Sequence, residues 1–223
     1  MTYFLLIIAV LLSYGFVVLA RPRKKEGLRL LLAFSGSFLL ALTLFELLPG
    51  VYKEADPKTI GIFIMLGILL QIFLEFFSKG AEHGHVHLNS KASDFPWLLF
   101  VSLCIHAFLE GIPIEGNNTI LYGILVHKIP IAIILSIFLV GSKIQPLYGA
   151  LFMIAFSLMT PLGSYAASKF EFISNYSAPI NAVVIGVFLH ISTVILFEST
   201  EGHTFNLRKL TAIVLGTAIA YFL

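Results

Sequence analysis

The stretch His106-Ala107-Phe108-Leu109-Glu110, followed one helix later by His127-Lys128-Ile129-Pro130, decides the reading of this chain. Both segments lie inside apolar runs of membrane-crossing length. An ionisable side chain near the centre of a bilayer costs about 2.5–3.5 kcal/mol on insertion scales. Two imidazoles, a carboxylate and an ammonium at such depth must therefore meet one another, water or an ion. His106 and Glu110 are four residues apart, so they stack on one face of a helix. A His and a Glu one turn apart have the form of a metal-ligand pair, and imidazole with carboxylate suits Zn²⁺, with other first-row divalent ions as alternatives.

Composition supports the membrane setting. Of the 223 residues, 58% are hydrophobic and only 12% are charged, against about 25% charged in an ordinary soluble domain. The mean hydropathy of +0.97 agrees. No basic stripe with interleaved aromatics is present, so nucleic acid is not an expected partner. The single cysteine, Cys104, excludes an intrachain disulfide and lies in an apolar run, where it packs as a small hydrophobe. Met1-Thr2-Tyr3 lacks a positive n-region and the charges follow the first apolar run, so a retained first helix is expected.

A span of roughly 20 residues crosses ~30 Å of hydrocarbon as a helix. Unpaired backbone groups are too costly in lipid for anything but helices here. The sequence predicts an all-α, polytopic membrane protein with eight transmembrane helices, at residues 2–20, 30–49, 58–77, 96–115, 119–141, 145–168, 178–198 and 205–223. In the last of these, Arg208 and Lys209 leave only Leu210 to Leu223 as uninterrupted apolar chain. The first, third, fifth and seventh connections hold Arg21, Arg23, Lys24, Lys25, Arg29, Lys79, Lys91, Lys143, Arg208 and Lys209. The second, fourth and sixth hold only Lys53, Lys58 and Lys169. The positive-inside rule then places the odd connections in the cytoplasm and both termini on the extracellular or periplasmic side. Residues 1–223 form a single transmembrane transport domain, and 78–95 a cytoplasmic loop that contains His83, His85 and His87. A multi-pass protein of the plasma (inner) membrane is expected, with the lipid bilayer as its surroundings and a homodimer left open.

Proline sharpens the two central spans. Pro113 and Pro130 lack the N–H that would pair with the carbonyls of Leu109 and Val126, next to the candidate ligands. Breaks of that kind near the midplane mark transporter binding sites. Lys128 stands about ten residues into its helix, ~15 Å from the membrane face at 1.5 Å per residue, too deep to snorkel. Its ammonium needs a carboxylate, and Glu110 is the nearest by topology. A Lys–Glu pair that merely ties two helices together is the plain alternative. His190 is either a weaker ligand or a helix-to-helix hydrogen bonder. The loop histidines read as a metal-catching tract or as a solvated loop of no special role. Gln71 and Glu75 share a face of the third span, and Glu198, Glu201 and His203 gather near the inner end of the seventh; both groups are candidate exit points.

In order along the chain, the motifs resemble those of the ZIP (Zrt/Irt-like) family of divalent-metal transporters. The fourth span carries His106-Ala107-Phe108-Leu109-Glu110-Gly111 where that family reads H-N-x-P-E-G. The fifth carries His127-Lys128-Ile129-Pro130-Ile131 for H-E-x-P-E. Glu46-Leu47-Leu48-Pro49-Gly50 resembles the H-L-L-P-E run of the second, Thr160-Pro161-Leu162-Gly163 the T-P-L-G run of the sixth, and Gly186-Val187-Phe188-Leu189-His190 the G-x-F-L-Y run of the seventh.

The resemblance implies eight helices with both termini outside, and a metal held by the fourth and fifth. It carries His106, Glu110 and His127 over as ligands. Glu46, at the position of a family His, either completes the site or stands as a solvated carboxylate near the entrance. The family's second site would use the residues at Ala107, Lys128 and Ile131, none of which can ligate here. The expectation is a mononuclear variant in which Lys128 substitutes for the second ion. The cargo implied is Zn²⁺ (or Fe²⁺, Mn²⁺ or Cd²⁺) moving into the cytoplasm by alternating access. The spans one, four, five and six would move as a group, with close helix approach at Gly36, Gly61, Gly67, Gly123, Gly149, Gly163 and Gly186. No catalytic residues and no resident cofactor are expected. Two other readings stand beside this one. An intramembrane zinc hydrolase would use the same His and Glu, but the chain has no H-E-x-x-H. A homologue altered by Lys128 to a non-transporting or sensing role is the other.

Overall fold

The computed structural model describes residues 2–22, 25–78, 95–115, 117–198 and 207–223. The loop histidines His83, His85 and His87, together with Glu201 and His203, lie outside the described residues. All regular structure among the described residues is helical. The helices are α1 (Thr2–Ala20), α2 (Lys25–Leu42), α3 (Leu48–Glu54), α4 (Pro57–Ser78), α5 (Trp97–Gly111), α6 (Asn118–Gly141), α7 (Pro146–Lys169), α8 (Glu171–Asn175), α9 (Ser177–Glu198) and α10 (Leu207–Tyr221).

The second predicted span is longer than expected. A π-helical turn over Thr43–Leu47 joins α2 to α3 in one continuous rod, with the Leu48 N–H bonding the Thr43 carbonyl. The cause is local: the ring of Pro49 would collide with the carbonyl four residues earlier in an ordinary α-helix, and a widened turn moves that carbonyl aside. Among the described residues, seven helical segments are long and apolar enough to cross a membrane, which fits a polytopic helical membrane protein. The described part of the eighth predicted span, α10, has 15 residues and reaches ~22 Å at 1.5 Å per residue, less than the hydrocarbon thickness.

The outer surface of the bundle is apolar. On α4, Ile62, Met65, Leu69, Phe73 and Phe76 are all exposed, a face suited to lipid rather than water. The helices that carry the candidate ligands sit centrally: about half or more of α5 and α6 is buried, against 22% of the α1 window and 28% of α4. Two seams bring backbones together. Along α5 and α7, a side chain on Gly111 would strike the Thr160 carbonyl, and one on Gly163 would strike the Phe108 carbonyl. Along α4 and α9, Gly67 faces the Val183 carbonyl and Gly186 the Ile64 carbonyl, with the two glycine Cα atoms in apposition. Gly36 and Gly123 are filled by the side chains of Ile195 and Leu42, and Gly149 has ordinary contacts. The expectation for Gly61 is corrected: a side chain there would meet open space, because that face of α4 packs against nothing.

Proline does less than the sequence implied. The carbonyl of Leu109 is not left unpaired, since the chain tightens into a 3₁₀ turn over Ile112–Ile114 and the Ile112 N–H bonds it. A 3₁₀ turn at a helix end uses the i→i+3 bond that proline leaves available. Helix α6 runs through Pro130 as one element from Asn118 to Gly141, so the fifth span is not broken.

Candidate metal centre

The centre is built by α5 and α6. Three side chains on one face of α5, Ser102, His106 and Glu110, follow one another at intervals of four residues, and all are at most 2% exposed. The seam with α7 fixes the last of them: Gly111 admits the α7 backbone beside Glu110, and the Thr160 hydroxyl donates to the Ala107 carbonyl at 2.9 Å. Ala107 and Ile131 are buried and apolar, so two of the positions that the resemblance associates with a second metal contribute only packing. From α6, His127 and Lys128 reach the same point, each about 1% exposed.

Glu110 divides its two oxygens. Its Oε1 lies 2.9 Å from His106 Nε2 and 3.7 Å from His127 Nε2. Its Oε2 accepts from the Lys128 ammonium at 2.7 Å. The two imidazoles stand edge to face, ring centroids 6.5 Å apart and planes at 79°. The Lys128 Nζ also sits 4.8 Å from the centroid of Phe156 on α7, over the negative face of the ring. His106, Glu110 and His127 thus form a group in which one ligand atom from each lies within 4.8 Å of the others.

That geometry leaves room for an ion. Zinc takes imidazole nitrogen and carboxylate oxygen at ~2.0–2.2 Å, so donors a few ångströms apart surround such a centre. The Nδ1 of His106 is buried without a hydrogen-bond partner. A buried polar atom left so costs about 1–3 kcal/mol, so the cluster is not satisfied by its own contacts. The charges of Glu110 and Lys128 offset each other, which makes a buried ionic group tolerable.

The other predicted residues fall elsewhere. Glu46 lies in the π-turn, exposed, and outside the three-ligand group. His190 is on α9, where its Nε2 contacts Glu75 Oε2 on α4 at 2.6 Å. Sequence reasoning placed Glu75 and His190 separately and missed their pairing. The pairing follows from Gly67 and Gly186, whose close approach sets α4 against α9, a choice that the sequence does not mark among its other glycines.

Known proteins resemble part of this chain. No protein-family model matches the chain. A zinc transporter named ZIP1 from Danio rerio is 38% identical over 88 residues, which is 37% of this chain and 29% of that protein. One of the same name from Takifugu rubripes is 36% identical over the same extent. These findings support a relationship to the ZIP family. The chain matches less than a third of the length of those relatives. Both are named as transporters, which is consistent with a protein that is not an enzyme.

Proposed function

We propose that this chain is a multi-pass carrier for a divalent transition metal, zinc above all, with a mononuclear site on His106, Glu110 and His127. The observation that carries the reading is the convergence of these three donors, deeply buried on two membrane-length helices. The names of the relatives support zinc as cargo. In this reading the metal enters from the outer side, sheds water, and exchanges hydration for two imidazoles and Glu110 Oε1. The bundle then exposes the site to the cytoplasm by alternating access, with both termini outside.

Lys128 sets the strength of binding. Two unit charges 4 Å apart interact by roughly 4 kcal/mol at an effective dielectric of 20. The ammonium therefore repels a dication by an amount comparable to the attraction of one carboxylate. Binding rests on coordination rather than net charge, and release stays accessible. A second reading draws on the same ion pair: Lys128 holds Glu110 so firmly that the protein senses metal without moving it. The hydrolase reading fares worse, because the cluster contains one carboxylate, leaving no separate general base once it ligates.

Zinc uptake into sealed liposomes distinguishes these. The carrier reading expects zinc accumulation by the intact protein and none by His106→Ala. Equal uptake by both would falsify the site assignment, and metal binding without uptake would favour the sensor.

A further inference from the structure

A second polar locus lies one helix away from the central cluster, and its chemistry is that of a cation site. On α4, Gln71 and Glu75 are one turn apart on a single face. On α9, His190 contacts Glu75 Oε2 at 2.6 Å. Gly67 and Gly186 touch backbone to backbone, and Gln71 and His190 each lie four residues beyond them. The two helices run in the same direction there, since the next contact, Glu75 with His190, lies further along both. Gln71 and His190 are thereby placed at one level, with Glu75 a turn below.

Gln71 is the telling member. It is fully buried, and neither its amide oxygen nor its amide nitrogen has a hydrogen-bond partner. Such an amide costs about 1–3 kcal/mol for each unsatisfied group. A leucine of similar volume would avoid that cost. The amide stands on the same helix face as a carboxylate that already meets an imidazole.

The locus is also joined to the central site. Ser102, one turn from His106 on the same face of α5, donates to the Leu74 carbonyl at 2.6 Å. Leu74 lies between Gln71 and Glu75. A buried polar file thus runs Glu110, His106, Ser102 along α5 and crosses to α4 at the second locus. A file of this kind gives a cation an oxygen or nitrogen donor at each step.

We propose that Gln71, Glu75 and His190 form a second divalent-cation station, a transit site that takes the metal between the central cluster and one membrane face. Its donors are an amide oxygen, a carboxylate oxygen and an imidazole nitrogen, a set suited to Zn²⁺ or Mn²⁺ that retains part of its water. Glu75 and His190 are partly open, with side chains 24% and 15% exposed, as a site that exchanges metal with water requires. The proposal rests on the carrier reading of the central cluster.

The test is equilibrium dialysis of Co²⁺, an optical probe, against the purified full chain in micelles. The intact protein is expected to bind two equivalents. The double variant His106→Ala, His127→Ala keeps one, and adding Gln71→Leu or Glu75→Gln weakens that one by roughly tenfold or more. Gln71→Leu in the otherwise intact protein leaves the melting temperature equal or higher, since it removes an unsatisfied amide, and reduces binding to the central equivalent. A purely structural Glu75–His190 contact gives one equivalent in the intact protein and none in the double variant, which overturns the proposal and leaves the central site standing. A surviving equivalent that Gln71→Leu and Glu75→Gln do not weaken overturns it as well. If the double variant binds as much Co²⁺ as the intact protein, and Gln71→Leu removes it, the central assignment fails and the second station holds.

Discussion

Among the described residues two acids meet imidazole inside this bundle, Glu110 and Glu75, and both lie beside a glycine seam, yet their surroundings differ. Glu110 is buried and shared among two imidazoles and an ammonium beside the α5–α7 crossing. Glu75 meets His190 beside the α4–α9 crossing and keeps some exposure. The difference teaches that depth, not residue type, decides how many partners a carboxylate collects. A fully buried acid needs its charge offset by protein groups, whereas a partly open one has water as well.

The largest effect is expected where burial is complete. Lys128→Met leaves the Glu110 carboxylate uncompensated, at a cost of ~3–5 kcal/mol. Without metal, the melting temperature in micelles drops sharply. Saturating zinc narrows the gap, because the dication replaces the lost charge. A metal-free melt equal to that of the unmodified protein would show that the ion pair contributes nothing to the fold.

Next come the seams. Gly163→Val drives a side chain into the Phe108 carbonyl, and Gly186→Val into that of Ile64. Overpacking of this kind costs typically 1–3 kcal/mol, and more against backbone. Both variants are expected to melt lower, but only Gly163→Val shifts Glu110 and weakens metal binding at the central cluster. Gly61→Val, facing open space, serves as the neutral control. Equal loss of central metal affinity in the two seam variants would erase the distinction between the regions.

The half-open contact is worth less. His190→Phe removes one charge-assisted hydrogen bond, worth about 1.5–3 kcal/mol when buried and less where water reaches the remaining acid. A thermal melt should fall by less than for Lys128→Met. A larger loss would mean that Glu75 depends on His190 as strictly as Glu110 depends on Lys128.

The smallest effect lies outside both regions, at the start of α4. The Thr59 N–H and hydroxyl both donate to Asp56 Oδ2, at 2.9 and 3.0 Å, and hold its carboxyl below the ordinary value of 3.8. A depressed carboxyl stabilises above its unfolded pKa and loses that contribution as the pH falls through the lower, folded one. The protection of the Thr59 amide, its exchange rate relative to the intrinsic rate at the same pH, should therefore hold steady above pH 3.8 and fall only in stronger acid. Asp56→Asn should flatten that dependence.

Much of this arrangement was legible in the chain, for identifiable reasons. Periodic apolar runs fix membrane-length helices closely: the ends expected at 2–20 and 119–141 match Thr2–Ala20 and Asn118–Gly141 to within a residue. Spacing of four put His106 and Glu110 on one face, and the depth of Lys128 demanded a nearby acid. What escaped was tertiary or dependent on backbone adjustment. The relief of Leu109 by a 3₁₀ turn and of Pro49 by a π-turn reflects small changes in hydrogen-bond register that residue types do not specify. The meeting of Glu75 with His190 depends on the helix pair set by Gly67 and Gly186, 119 positions apart in the chain. Nothing in local sequence singled out that pair from the other glycines, as Gly61 illustrates.

The most direct measurement is zinc K-edge absorption fine structure on the intact protein loaded with one equivalent of zinc. Coordination by His106, His127 and Glu110 predicts nitrogen and oxygen neighbours at ~2.0–2.2 Å with the outer-shell signature of two imidazoles, falling to one in His127→Ala. A shell of oxygens alone, or an imidazole count unchanged by His127→Ala, would contradict it.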